Sequence, residues 1–281
     1  MDGRAGTAGG DGVSAHARFH PIDDTPLAGV FLFAAHLRKH NSTKIQTSPV
    51  HKEITMVELE QLIEEYRGEV YAAASSFHTW KNINSLALKN PALALALQLN
   101  ARSWNIIQYS LQSTFLTALG RLFDSNDKSL SIATFIKACE TGIDQFGKGA
   151  LESRRLESNQ GVRPAYLDTL LQHAQEPNQA DFQILSAKLS EWEAIYREKY
   201  KPIRNKMIAH RDMKVINNTE SLFAKTEMDE IEAILQFAFQ VSGVIEQFFN
   251  DGRKSELTDH VSYQEQYIRK DLENLLSKIV D

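Results

Sequence analysis

From Leu59 onward an apolar side chain returns every third or fourth residue, through Leu62, Ile63, Tyr66, Val70, Ala73, Phe77 and Trp80 to Ile83. That interval matches the turn of an α-helix and places these residues on one face, which must be buried against a partner. The stripe begins near Thr55 and ends near Leu88. Asn90-Pro91 stops it, because proline has no N–H for the preceding turn but fits the first turn of a new helix. A second stripe, Leu95, Leu99, Trp104, Ile107, Leu111, Phe115, Ala118, Leu119 and Leu122, carries the chain to about Phe123. Two helices of about thirty residues joined by a short turn predict an antiparallel hairpin.

Glycine usage supports the same fold class. Five of the fourteen glycines lie within the first twelve residues, so only nine serve the rest of the 281-residue chain, alongside seven prolines. An all-β chain needs a turn every 8–12 residues or so. The expectation is an all-α helical bundle over residues 51–281, preceded by a poorly structured N-terminal arm over residues 1–50. The arm lacks a sustained period and holds His16, His20, His36, His40 and His51. Two of its histidine pairs are spaced i,i+4, but without helical periodicity or acidic and cysteine partners they do not make a metal site, and neither a metal nor an organic cofactor is expected.

Further helices follow. One starts at Ser129 or Ser131 and carries Ile132, Phe135, Ile136 and Cys139; Thr141 to Val162 reads as a connector with at most one short helix. Pro164 to Ala174 and a segment from Asp181 through Tyr196 are helical. A kink or break falls at Pro202, and Ile203 to about Arg211 resumes as a helix. Thr226-Glu227-Met228-Asp229 has the form of a capping box, and Asn250-Asp251-Gly252 closes the helix it opens. A last amphipathic helix carries Tyr267, Leu272, Leu275, Leu276 and Ile279.

No apolar run approaches the roughly 18 residues that span a bilayer. No secretory leader is recognisable, and the single Cys139, read as a core residue, fits a reducing cytoplasm. The net charge of -5 argues against a general nucleic-acid coat. The segment Tyr196–Lys214 is the exception: seven basic residues (Arg197, Lys199, Lys201, Arg204, Lys206, Arg211, Lys214) against Glu198 and Asp212 make it +5, within a chain of -5. A segregated patch of this kind can attract a phosphate backbone.

Inside the patch Arg204, Asn205 and His210 form an R-N-x-x-x-x-H pattern. Histidine exchanges a proton near neutral pH, and the planar guanidinium suits phosphate oxygens. These are the parts needed to cleave RNA without a metal: a base for the 2′-OH proton and a cation for the charge growing on phosphorus. In a straight helix, six residues separate Arg204 and His210 by about 120° and about 9 Å. Unwinding near Pro202, the length of arginine, or a second subunit across a two-fold axis is needed to bring them together. Arg121 and Asp124 read as an i,i+3 pair at a helix end.

The Lys201–Asp212 segment, with its I-R-N-K-M-I-A-H-R-D core, resembles the signature of the HEPN superfamily (higher eukaryote and prokaryote nucleotide-binding domains), in particular its AbiU-like abortive-infection branch. Leu119 to Leu130, L-G-R-L-F-D-S-N-D-K-S-L, is similar to the same branch. The resemblance implies a helical bundle that forms a homodimer, and a metal-independent endoribonuclease of a defence or toxin system. Arg204, Asn205 and His210 would then be catalytic, and Lys199, Lys201, Lys206, Arg211 and Lys214 RNA-binding. It also implies an antitoxin or nucleotidyltransferase-type partner. Other members of the superfamily are non-catalytic modules that bind a nucleotide, RNA or a protein, and that alternative stays open.

Overall fold

The computed structural model describes residues 55–209 and 225–280. The arm expected over residues 1–50 lies outside them, as do His210, Arg211, Asp212, Lys214 and the Asn217-Asn218 loop. Among the described residues the regular secondary structure is all helical and there is no strand. The helices are α1 (Met56–Lys89), α2 (Pro91–Leu99), α3 (Ala101–Leu122), α4 (Ile132–Thr141), α5 (Lys148–Ser158), α6 (Leu167–His173), α7 (Gln179–Ile195), α8 (Met228–Asp251) and α9 (Gln264–Val280).

Each boundary has a local cause. Thr55 and Glu58 close a reciprocal capping box at the start of α1, and Asn90 both ends α1 and accepts from the N–H groups of Ala92 and Leu93 to start α2. The stripe from Leu95 to Leu122 is not one helix, because Asn100 interrupts it with its side-chain amide donating back to the Ala96 carbonyl. The break leaves Leu95, Leu99 and Ile107 exposed and keeps Phe115, Ala118, Leu119 and Leu122 in the core. Ser131 caps α4, Asn178 and Asp181 cap α7, and Gly252, with φ +57°, takes the left-handed position after α8. At the start of α8 the cap residue is Glu227, one position beyond the expected Thr226, and its carbonyl accepts from the Tyr200 hydroxyl.

Helix α1 is the axis of the bundle. Along its length Asn84 faces Gln108, Phe77 faces Phe115 and Glu69 faces Arg121, so α1 and α3 run antiparallel as expected. On another side Tyr66 donates to the Ala238 carbonyl and stacks on Phe135, with ring centroids 4.0 Å apart, joining α1, α4 and α8 in one core. Cys139 is fully buried there, and burial pushes its thiol well above the ordinary value. The stretch read as a connector contains α5, which shows only Leu151 fully to the core. Its anchor is polar: Arg154 lies over the Phe249 ring and, with Arg155, donates to the Phe249 and Asn250 carbonyls at the end of α8. Those carbonyls lack helical partners and sit at the negative end of the helix dipole.

Candidate nucleic-acid interface

Pro202 shapes the backbone that carries the basic segment. With no N–H to give, it cannot close the ordinary bond to residue 198, and α7 continues into a wider π-helical turn at Tyr196–Tyr200 rather than breaking. The Lys201 N–H reaches five residues back, to the Tyr196 carbonyl. One α-helical turn, Lys201–Ile203, is followed by a second π segment, Arg204–Ala209. From Arg204 to Ala209 each turn therefore contains more residues than an α-helical one.

Four contacts fix this segment. Lys199 pairs with Glu230 of α8 at 2.6 Å, and the Tyr200 hydroxyl donates to the other oxygen of the same carboxylate at 2.7 Å. The buried Tyr196 ring stacks on Phe123 at 4.8 Å between centroids, and burial raises its hydroxyl to about 12. Ile203 is buried in the main core.

Arg204 packs on α3 where Gly120 exposes backbone; a Cβ at that glycine would lie 2.8 Å from the arginine Nε and 3.2 Å from its Cγ. Its Nη1 donates to the Asn205 side-chain oxygen at 2.9 Å. Its charge, with that of Lys201, acts on Asp124 at the end of the R-L-F-D stretch. Asp124 accepts from the Asn126 N–H at 3.1 Å and the Ser129 hydroxyl at 2.9 Å. These hydrogen bonds, and then the two cations, hold its carboxyl below the ordinary value.

Two segments about eighty residues apart in sequence thus meet through Gly120 and Phe123 on one side and Arg204 and Tyr196 on the other. The expected Arg121–Asp124 pair is replaced: Arg121 reaches Glu69 of α1 through Nε at 2.7 Å and Nη2 at 2.6 Å. Asp124 instead belongs to the arginine cluster. Gly120 and Tyr196 are the site residues that sequence reading did not single out. A glycine inside an apolar helical stripe was the available signal, because such a glycine marks a close approach.

Of the expected RNA contacts, Lys201 and Lys206 are exposed and Lys199 is engaged by Glu230. Arg211 and Lys214, like the expected proton donor and acceptor His210, lie outside the described residues, so the structure brings together Arg204 and Asn205 but does not describe the third member. Among the described residues no helix is long and apolar enough to cross a membrane.

Comparison with curated proteins and with solved structures returns no match. The family model for AbiU2, a HEPN family, matches residues 56–274, from the first residue of α1 into the last helix. The bundle, the meeting of its two signature segments and this match over most of the chain agree, and the protein is a member of the HEPN AbiU2 family.

Proposed function

We propose that the protein is a metal-independent endoribonuclease of an abortive-infection or toxin-type system, acting on RNA in the cytoplasm as a homodimer. The observation that supports this reading best is the placement of Arg204: packed on Gly120 and tied to Asn205. A guanidinium held in this way keeps its charge and orientation, which is what stabilising a pentacoordinate phosphate requires.

In this reading His210 withdraws the 2′-OH proton and returns a proton to the leaving 5′-oxygen. The 2′-oxygen attacks phosphorus, the P–O5′ bond breaks, and a 2′,3′-cyclic phosphate and a 5′-hydroxyl result. Arg204 neutralises the charge that grows on the non-bridging oxygens, and Asn205 holds Arg204 in orientation. Lys201, Lys206, Arg211 and Lys214 track the phosphate backbone, and an antitoxin or nucleotidyltransferase-type partner restrains the activity. A two-fold dimer would place two such sets around one cleft.

The test is cleavage of single-stranded RNA in EDTA by the wild type and by Arg204→Ala and His210→Ala proteins of unchanged circular dichroism. Cleavage that resists EDTA and falls by about 10²- to 10⁴-fold in each variant supports the assignment. Equal cleavage by all three overturns it. Salt-sensitive RNA binding without cleavage under any condition favours the second reading, a non-catalytic HEPN module using the same patch.

A further inference from the structure

Away from the arginine cluster, three helices bring one histidine and two glutamates together. His78 of α1, Glu232 of α8 and Glu265 of α9 place one potential ligand atom each within 4.8 Å of one another. His78 is 6% exposed, and its Nδ1 is buried without a hydrogen-bond partner. An imidazole nitrogen in that condition carries a desolvation cost that nothing in the protein offsets. Lys81, one turn along α1 from His78, lies between the carboxylates, with Nζ 2.6 Å from Glu232 and 3.1 Å from Glu265.

We propose that His78, Glu232 and Glu265 form a binding site for a divalent transition-metal ion of the zinc class, and that Lys81 is the group such an ion displaces. The donor set of one imidazole and two carboxylates suits zinc and its neighbours, whereas magnesium and calcium prefer oxygen alone. Three ligands about 2.1 Å from a tetrahedral ion lie about 3.4 Å from one another, so closing the site asks the ligand atoms to move by an ångström or so. Glutamate side chains make that movement by rotation. Both carboxylate-bearing side chains keep 32% of their surface exposed, so the ion enters from solvent without unfolding. The lysine has a flexible four-carbon stem on which to swing outward.

An ion bound here would clamp α9 to α1 and α8. Within the described residues α9 buries Leu272 and Leu276, so an ion here would reinforce a small apolar contact. The role is structural and separate from RNA chemistry at Arg204.

The test uses the full chain, stripped with chelator and dialysed, with Zn²⁺ and Mg²⁺ as probes and thermal melting and bound-metal stoichiometry as readouts, in the absence of RNA. The expected result is a rise in Tm of about 5 °C with Zn²⁺ at large excess over its Kd and none with Mg²⁺. The rise should be larger in Lys81→Ala and absent in Glu265→Gln and His78→Gln; the pair of ligand variants guards against one failing to fold. An equal rise in both ligand variants overturns the proposal, because the ion is then bound elsewhere, for instance by the histidines of the N-terminal arm. So does a rise confined to Lys81→Ala, which would make the lysine the resident cation, and so does no rise in any protein.

Discussion

Arg204 crosses α3 at Gly120, with its Nε 2.8 Å from the point a glycine Cβ would occupy. The glycine thus makes room for the one arginine that the R-N-x-x-x-x-H motif needs. Gly120→Ala separates function from stability. Alanine is the better helix former by up to about 1 kcal/mol, so the melting temperature should hold or rise slightly. The added methyl must push the guanidinium aside, and RNA cleavage should fall at least tenfold. An active Gly120→Ala protein would show that the placement of Arg204 is not critical.

Asp124 predicts a pH dependence of stability. Its carboxyl is held below the ordinary value by the Asn126 and Ser129 hydrogen bonds and by the charges of Arg204 and Lys201. A carboxyl depressed in the folded state contributes stability that is present above its unfolded value of about 3.9 and lost as pH falls through the folded value below it. Wild type should therefore exceed Asp124→Asn in urea midpoint at pH 7. The gap should close as pH falls below about 4, and a gap that persists at acid pH would contradict the electrostatic account.

Two lysines of the same segment should behave differently. Lys199 is committed to Glu230, so Lys199→Ala should lower stability by up to about 1 kcal/mol and leave the salt dependence of RNA binding nearly unchanged. Lys206 is exposed; Lys206→Ala should leave stability unchanged and reduce the slope of log K against log salt by about 1. Filter binding across a salt series, with parallel denaturation curves, checks both.

Tyr66 supplies a prediction confined to the fold. Its hydroxyl donates to the Ala238 carbonyl, and its ring stacks on Phe135. Tyr66→Phe keeps the ring and removes the donor, which should cost about 1 kcal/mol in urea denaturation. RNA cleavage should be unaffected at temperatures where the variant is folded.

What was legible in the chain itself is what depends on spacing and local chemistry. The period through Leu59, Tyr66, Phe77 and Ile83 marks α1, Asn90-Pro91 marks the turn into α2, and Ser131 and Gly252 mark ends because caps act within one turn of the residues that form them. Arg204 and Asn205 were visible as chemistry, and the +5 segment as an electrostatic feature. Tertiary structure decided the rest. Helix α5 is fastened by Arg154 and Arg155 to carbonyls of α8 about ninety-five residues away, which no local pattern records. Asn100 ends α2, and Leu95, Leu99 and Ile107 of the apolar stripe are left exposed, since a stripe states that a face is apolar and not what will cover it. The pairing of Arg121 with Glu69, the approach of Arg204 to Gly120, and the cluster of His78, Glu232 and Glu265 all join residues from different helices. Sequence by itself determined which helices form and which residues carry charge and chemistry; only packing decided which of them meet, because the forces that bring helices together act through space between residues far apart along the chain.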